Sequence, residues 1–254
     1  MSTLPVWLQA GIWGLVAGSA LVIGAAIGYF TRIRHRVIAA IMAFGSGVLI
    51  SALSFDLVEE AHERGGFLAS AVGFVAGASI FTVANWYLSY RGAAARNLSG
   101  QQQPSEEEHH GSGAAIALGA LIDGIPEAIV IGVSMIASKS VSMVAVIAVF
   151  LSNIPEGLSS ASGMKKAGRS AFYVFGVWGG IAIMNGIAAA LGNLLFVGFS
   201  EQVIAATMAL AAGAILAMLI DTMIPEAFEV AQNYAGMIAV AGFLAAFYLS
   251  KLSG

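Results

Sequence analysis

Runs of about 20 apolar residues recur along the chain, and this pattern limits the fold more than any other feature. An α-helix rises about 1.5 Å per residue, so about 20 residues cross the roughly 30 Å hydrocarbon core of a bilayer. The composition agrees, because 59% of the residues are hydrophobic, 10% are charged and the mean hydropathy is +0.87. The sequence therefore predicts an all-α, polytopic protein of the cell membrane whose partner is the lipid bilayer. Its net charge of -3 gives no indication of nucleic-acid binding.

The apolar runs predict eight transmembrane helices in a single transmembrane domain over residues 1–254. The predicted spans are about 5–30, 37–61, 66–90, 113–137, 141–163, 170–197, 203–227 and 233–251. All the predicted loops are short except one, at about 91–112 between spans 3 and 4. That loop is rich in Gln and Glu, so we expect it to be solvated and mobile.

The distribution of basic residues predicts how the spans are oriented. With the N-terminus outside, eight Lys and Arg residues fall in cytoplasmic loops and three fall on the other face. Basic residues favour the cytoplasmic side, so both termini are predicted outside and the loop at about 91–112 is predicted to be cytoplasmic.

Acidic residues inside the predicted spans point to function. The chain has three aspartates, Asp56, Asp123 and Asp221, and all lie within predicted helices, whereas no Lys or Arg does. A buried carboxylate normally has a basic partner or is protonated. Without a basic residue in the spans, the sequence leaves two explanations for these acids, protonation or an imported cation.

The tripeptide Ile-Pro-Glu occurs in the middle of spans 4 and 5 and ends at Glu127 and Glu156. Each proline removes a backbone donor and frees carbonyl groups that can face a ligand. Asp123 and Glu127 are four residues apart, as are Ser152 and Glu156, so each pair projects from one helix face. If the two helices cross at their prolines, these side chains and Asn153 form an oxygen-rich site for a divalent cation. The chain has no cysteine, which excludes thiolate ligands.

Two further acidic segments resemble these motifs. Span 7 contains Asp221 followed by Pro225 and Glu226, and a looser version with Asp56, Glu59 and Glu60 ends span 2. Spans 2 and 7 run in opposite directions, which favours an inverted repeat with spans 1–3 related to spans 6–8. We expect the acids of span 2 at the outer entrance of a pathway and Asp221 and Glu226 at its cytoplasmic exit.

The motifs 123–127, Asp-Gly-Ile-Pro-Glu, and 152–157, Ser-Asn-Ile-Pro-Glu-Gly, resemble the ZIP (Zrt/Irt-like protein) family of divalent metal transporters. In that family both helices typically read His-Asn-x-Pro-Glu-Gly or a close variant. The resemblance implies a 3+2+3 inverted-repeat bundle, a binuclear metal site, uptake of metal ions toward the cytoplasm and often a homodimer. It implies that Glu127 and Glu156 bridge the metals and that Asn153 binds at the second position, while Asn185 takes the ligand position of span 6.

The chain departs from the family pattern at three motif positions. Asp123 stands where histidine is usual, Gly124 where asparagine is usual, and Ser152 where histidine or glutamine is usual. The loss of imidazole predicts a weaker preference for Zn²⁺ relative to oxygen-seeking ions such as Mn²⁺, Mg²⁺ or Fe²⁺. Zinc, manganese, iron and cadmium are all candidate substrates, and no organic cofactor is expected.

Other interpretations of the same residues stay open. Each Pro-Glu pair can be a kink with a protonated glutamate, and the amide and hydroxyl side chains can simply hold helices together. His109 and His110 in the cytoplasmic loop can capture metal ions or belong to an ordinary solvated stretch. A ZIP-like protein that senses or binds metal without transporting it is an alternative function, and an intramembrane hydrolase is another. The chain lacks the His-Glu-x-x-His and Gly-x-Ser-x-Gly motifs, so it is predicted not to be an enzyme.

Overall fold

The computed structural model describes residues 4–91, 93–96, 103, 112–138 and 141–253, and every regular element in these ranges is helical. The all-α prediction is confirmed. The α-helices are α1 Val6–Phe30, α2 His35–Ala52, α3 Glu59–Ser89, α4 Ser112–Ser138, α5 Met143–Lys166, α6 Ala171–Phe196, α7 Glu201–Met218, α8 Ile224–Ala231 and α9 Ala235–Ser253. His109 and His110 lie outside the described residues.

Five helical stretches of the described chain are long and apolar enough to cross a membrane, whereas the sequence predicted eight spans. They are Val6–Phe30, His35–Ser89, Ala114–Ile136, Ala171–Phe196 and Glu201–Leu252. The numbers differ partly because the second and fifth stretches contain 55 and 52 residues and join helices that the sequence separated. In addition α5, which carries the polar motif 152–157 and two terminal lysines, is not among the five.

Both long stretches are interrupted. Gly66 has φ 74° and ψ 176° inside α3, a backbone conformation that is open to glycine and breaks the helix. Gln232, between α8 and α9, has φ 45°. Each stretch also contains a π-helical turn, Leu53–Val58 after α2 and Leu219–Met223 after α7. These turns hold Asp56 and Asp221, so the two aspartates that the sequence paired occupy matching local structures.

The helices pack in pairs that follow a simple exchange pattern. The main contacts join α3 to α7, α2 to α9, α1 to both α5 and α6, and α4 to α6, and α5 and α4 also contact α2 and α7 respectively. Exchanging α1 with α6, α2 with α7, α3 with α9 and α4 with α5 turns this set of contacts into itself, whereas the contact of α2 with α8 lies outside the pattern. The two Pro-Glu helices, α4 and α5, therefore take equivalent places among the others.

Glycines allow α3 and α7 to approach closely. A Cβ atom on Gly77 would overlap the carbonyl oxygen of Leu210, and one on Gly213 would overlap that of Phe74. Small residues at such contacts let helix backbones meet, which is a common way to pack helices in lipid.

We expect Gly77→Ala to lower the thermal unfolding temperature of the purified protein in detergent. The added methyl group meets the Leu210 backbone, and such overpacking costs about 1–3 kcal/mol, against a helix-propensity gain of about 1 kcal/mol. Gly180→Ala in α6 is the matched control, because nothing lies within 4 Å of its Cβ position. Equal unfolding temperatures for the two variants would contradict the close α3–α7 contact.

Candidate functional site

The six predicted metal-site residues are all buried. Their exposed fractions are 0% for Asp123, 1% for Glu127, 1% for Ser152, 0% for Asn153, 3% for Glu156 and 2% for Asn185. Proline lies inside both helices that carry the motifs, Pro126 in α4 and Pro155 in α5. The acids therefore lie on helices whose backbone hydrogen bonding is already interrupted beside them.

The two motifs meet at Ser152 and Glu127. The Ser152 Oγ atom lies 3.5 Å from Glu127 Oε1 and 2.9 Å from the carbonyl oxygen of Val149. A hydroxyl group has one proton to donate, and the nearer carbonyl is the better acceptor. Glu127 Oε2 has no hydrogen-bond partner among the described residues. Both oxygens of this buried carboxyl group therefore lack a strong donor.

Three more buried oxygens nearby share this property. Within the described chain, no donor reaches Glu156 Oε1, Asn153 Oδ1 or Asn185 Oδ1. The Asn153 amide is nevertheless fixed, because its Nδ2 donates to the carbonyl oxygen of Ala17 in α1 at 3.0 Å. A buried acceptor without a partner costs about 1–3 kcal/mol. An arrangement of several such oxygens fits a ligand that is a cation or a hydrogen-bond donor.

Asn185 explains the glycine at position 124. A Cβ atom on Gly124 would lie 2.8 Å from Asn185 Oδ1 and 3.0 Å from Asn185 Nδ2. The Asn185 side chain of α6 thus fills the space beside position 124 of α4, the position at which the ZIP pattern has an asparagine. The structure brings Asn185 next to the residue that follows Asp123.

Asp123 has a basic partner, which the sequence did not predict. Arg96 Nε donates to Asp123 Oδ2 at 2.7 Å, and Arg96 Nη2 donates to Asp123 Oδ1 at 2.8 Å. Arg96 is 2% exposed and Asp123 is fully buried. The expectation that the acids lack a cation is therefore wrong for Asp123, because an arginine from outside the helices reaches it.

The segment that carries Arg96 is held against the bundle. Arg96 Nη1 donates to Asn85 Oδ1 at 2.9 Å and to the Ala93 carbonyl at 3.1 Å. Gln103 Nε2 donates to the carbonyl oxygens of Arg96, at 3.0 Å, and of Ser160 in α5, at 3.1 Å. Arg96 and Gln103 are buried, so the expectation of a solvated, mobile loop is wrong for these two residues.

Charge and space both favour this position of Arg96. Burial alone would lower the pKa of Arg96, but the charge and hydrogen bonds of Asp123, together with the charges of Glu156 and Asp221, outweigh it and raise the pKa, so the guanidinium stays cationic. Gly119 of α4 provides the room, since a Cβ atom there would lie 2.5 Å from Arg96 Cδ.

The residues predicted at the entrance, Asp56, Glu59 and Glu60, lie in two different environments. Asp56 Oδ1 accepts a hydrogen bond from Ser250 Oγ at 2.9 Å. The Asp56 side chain also borders a cavity of about 20 Å³ whose other lining residues are apolar, among them Val130 and Val149. Those valines lie one turn from Glu127 and Ser152, so an apolar layer lies between Asp56 and the motifs.

The other predicted entrance residues lie nearer the protein surface. Glu60 accepts from Arg64 Nη2 at 2.6 Å, and Arg64 Nη1 reaches Glu201 at 3.1 Å. Glu59 is exposed. This end of the predicted pathway therefore carries an ion-pair cluster at its surface.

The residues predicted at the exit are connected to the site. Asp221 is exposed, and its Oδ2 accepts from Asn85 Nδ2 at 3.2 Å. Because Asn85 also accepts from Arg96, a polar chain runs from Asp221 through Asn85 and Arg96 to Asp123. Glu226 is buried and accepts from Ser159 Oγ of α5 at 3.3 Å.

The described residues contain no group of three or more histidine, aspartate or glutamate side chains arranged to hold a metal ion. Arg96 holds both oxygens of Asp123, so within the described residues Glu127 and Glu156 are the motif acids to which no cation is hydrogen-bonded. A metal at this place would be bound by these two carboxylates together with neutral amide and hydroxyl oxygens.

Sequence reasoning missed Arg96, Asn85 and Gln103. Gln103 lies among polar residues of a loop, where nothing in the sequence distinguishes it. Asn85, by contrast, is the one amide side chain of predicted span 3, and an amide in a span is a signal of contact between helices. For Arg96 one indication existed, because it follows the small residues 92–95 rather than other polar residues. A short apolar segment before a lone arginine is compatible with burial near an acid.

Comparison with models of known protein families gives no match, and a search of curated proteins finds no similar sequence. The resemblance to ZIP transporters therefore rests on the motifs themselves.

We expect Gly124→Ala to destabilise the protein by displacing Asn185, and Gly124→Ala combined with Asn185→Ala to recover most of that loss. Overpacking of this kind costs about 1–3 kcal/mol. Thermal unfolding in detergent measures both variants, with Gly176→Ala as the control because its Cβ position is open. Additive losses in the double variant would contradict the contact between Gly124 and Asn185.

Proposed function

We propose that this chain transports a divalent metal cation toward the cytoplasm through a site between α4 and α5. The observation that carries the proposal is the group of buried oxygens that have no donor within the described residues, contributed by Glu127, Glu156, Asn153 and Asn185. Buried oxygen acceptors beside two proline-interrupted helices need a cation or a hydrogen-bond donor. A substrate cation meets this need whenever it occupies the site.

The ligand chemistry favours hard or borderline cations. Glu127 and Glu156 provide two negative charges, which one divalent ion neutralises, and the asparagine oxygens complete an all-oxygen set. The site has no imidazole or thiolate, so we propose Mn²⁺, Fe²⁺ or Mg²⁺ as better substrates than Zn²⁺ or Cd²⁺.

The proposed architecture is a ZIP-like bundle of eight spans in 3+2+3 order, with both termini outside the cell membrane. The five candidate stretches become eight spans in two steps. His35–Ser89 is divided at Gly66 and Glu201–Leu252 at Gln232, and α5 is added. The exchange pattern of the helix contacts and the paired π-helical turns support an inverted repeat. A homodimer remains a prediction of the family resemblance.

The proposed path follows α5 from the motif toward its C-terminal end. Polar residues recur on this helix at positions 152, 153, 156, 159, 160 and 162, and residues 159 and 160 contact Glu226 and Gln103 respectively. On the other side, the apolar layer around Val130 and Val149 closes the route to Asp56. We propose that the bundle has two states. The apolar layer opens in one state and the C-terminal end of α5 opens in the other, as in the alternating access of inverted-repeat transporters.

We expect Glu127→Gln and Glu156→Gln each to reduce uptake of Mn²⁺ into proteoliposomes by at least about tenfold, because a site with one negative charge binds a dication less well. Glutamine keeps the size and one oxygen of the side chain, so loss of packing is minimal. Glu229→Gln, at an exposed position of α8, is the matched control and should transport like the wild type.

The same assay separates the alternatives. Uptake by both glutamine variants at the wild-type rate would rule out the α4–α5 site. Binding of Mn²⁺ by wild-type protein without any uptake would instead support a protein that binds or senses metal.

A further inference from the structure

We propose that Arg96 is a resident counter-cation of Asp123, which limits this site to one divalent cation per chain and blocks a second. The inference rests on the proposed function and specifies the stoichiometry of the same site.

The geometry makes Arg96 a fixed part of the site. Its guanidinium binds Asp123 with two short hydrogen bonds, and a third nitrogen contact ties it to Asn85 of α3. Its backbone carbonyl is bound by Gln103, which also bonds to Ser160 of α5. A bidentate arginine–carboxylate pair of this kind is both strong and specific in orientation.

The charges of the site then fit a single ion. Asp123, Glu127 and Glu156 contribute three negative charges, and Arg96 contributes one positive charge, which leaves two negative charges. One dication neutralises them, whereas two dications would leave a net charge of plus two in a buried region. Uncompensated charge is expensive away from water, so the second ion is disfavoured.

A purely structural role for the pair makes different predictions. Buried salt bridges often contribute little net stability, and loss of one partner is destabilising because the other charge remains. A structural pair would change the unfolding temperature when Arg96 is substituted, but it would leave the number of bound ions and their affinity unchanged.

The test is equilibrium dialysis of the purified full-length protein in detergent against Mn²⁺, with bound metal measured by elemental analysis. The wild type should bind one ion per chain at saturation. Arg96→Gln leaves three uncompensated negative charges, so it should bind Mn²⁺ at least about tenfold more tightly or take up a second ion. Arg91→Gln is the matched control, because Arg91 is exposed at the start of the same segment and should behave like the wild type.

Charge rescue distinguishes the two roles most clearly. Asp123→Asn leaves a net charge of minus one and should weaken Mn²⁺ binding at least about tenfold. The double variant Arg96→Gln with Asp123→Asn restores minus two and should regain one ion with an affinity near that of the wild type. This comparison also applies if Arg96→Gln alone fails to fold.

The possible failures are separable. If the wild type binds one ion, Arg96→Gln binds Mn²⁺ like the wild type, and the double variant binds it like Asp123→Asn, the inference is wrong and the proposed function stands. A wild type that binds no Mn²⁺ would overturn the proposed function and this inference together.

Discussion

Hydrocarbon does not solvate charge, and most features of this protein's centre follow from that constraint. A carboxylate at membrane depth needs a cation, a proton or a set of donors. The structure meets this need differently for two groups of acids. Asp123 has the guanidinium of Arg96, whereas Glu127 and Glu156 have oxygens without any donor in the described chain. Asp123 therefore has its counter-charge without a ligand, whereas Glu127 and Glu156 need a bound proton or cation.

The same constraint explains where the helices are irregular. Proline occurs inside α4 and α5 beside the acids, and π-helical turns hold Asp56 and Asp221. Each irregularity exposes backbone groups that hydrocarbon would not satisfy, so each must face protein or a ligand. Pro155 is buried and Pro126 is half-buried, and α4 and α5 take equivalent places among the surrounding helices. The chain keeps regular, apolar helices such as α1 and α6 around this centre.

Much of this arrangement can be predicted from local pattern. Apolar length gives the helices, and the four-residue spacing of Asp123 with Glu127 puts both on one face of α4. The contact between Glu127 and Ser152 agrees with a crossing of the two motifs. The pair of Arg96 with Asp123 is not predictable in this way, because the partners are 27 residues apart and join a loop to a helix. The apolar runs do place a boundary between spans at about 61–66, and the backbone break at Gly66 lies there.

The change at position 123 and the position of Arg96 make sense together. The motif that this chain resembles has a histidine there, and a neutral imidazole adds no charge to the site. An aspartate alone would add a negative charge in a region with two glutamates already present. Aspartate with arginine adds no net charge, and Arg96 holds both Asp123 oxygens, so position 123 no longer offers a free ligand atom. In the proposed metal site, two negative charges then remain for one dication, and every ligand is an oxygen. Such a ligand set would favour oxygen-seeking ions over Zn²⁺.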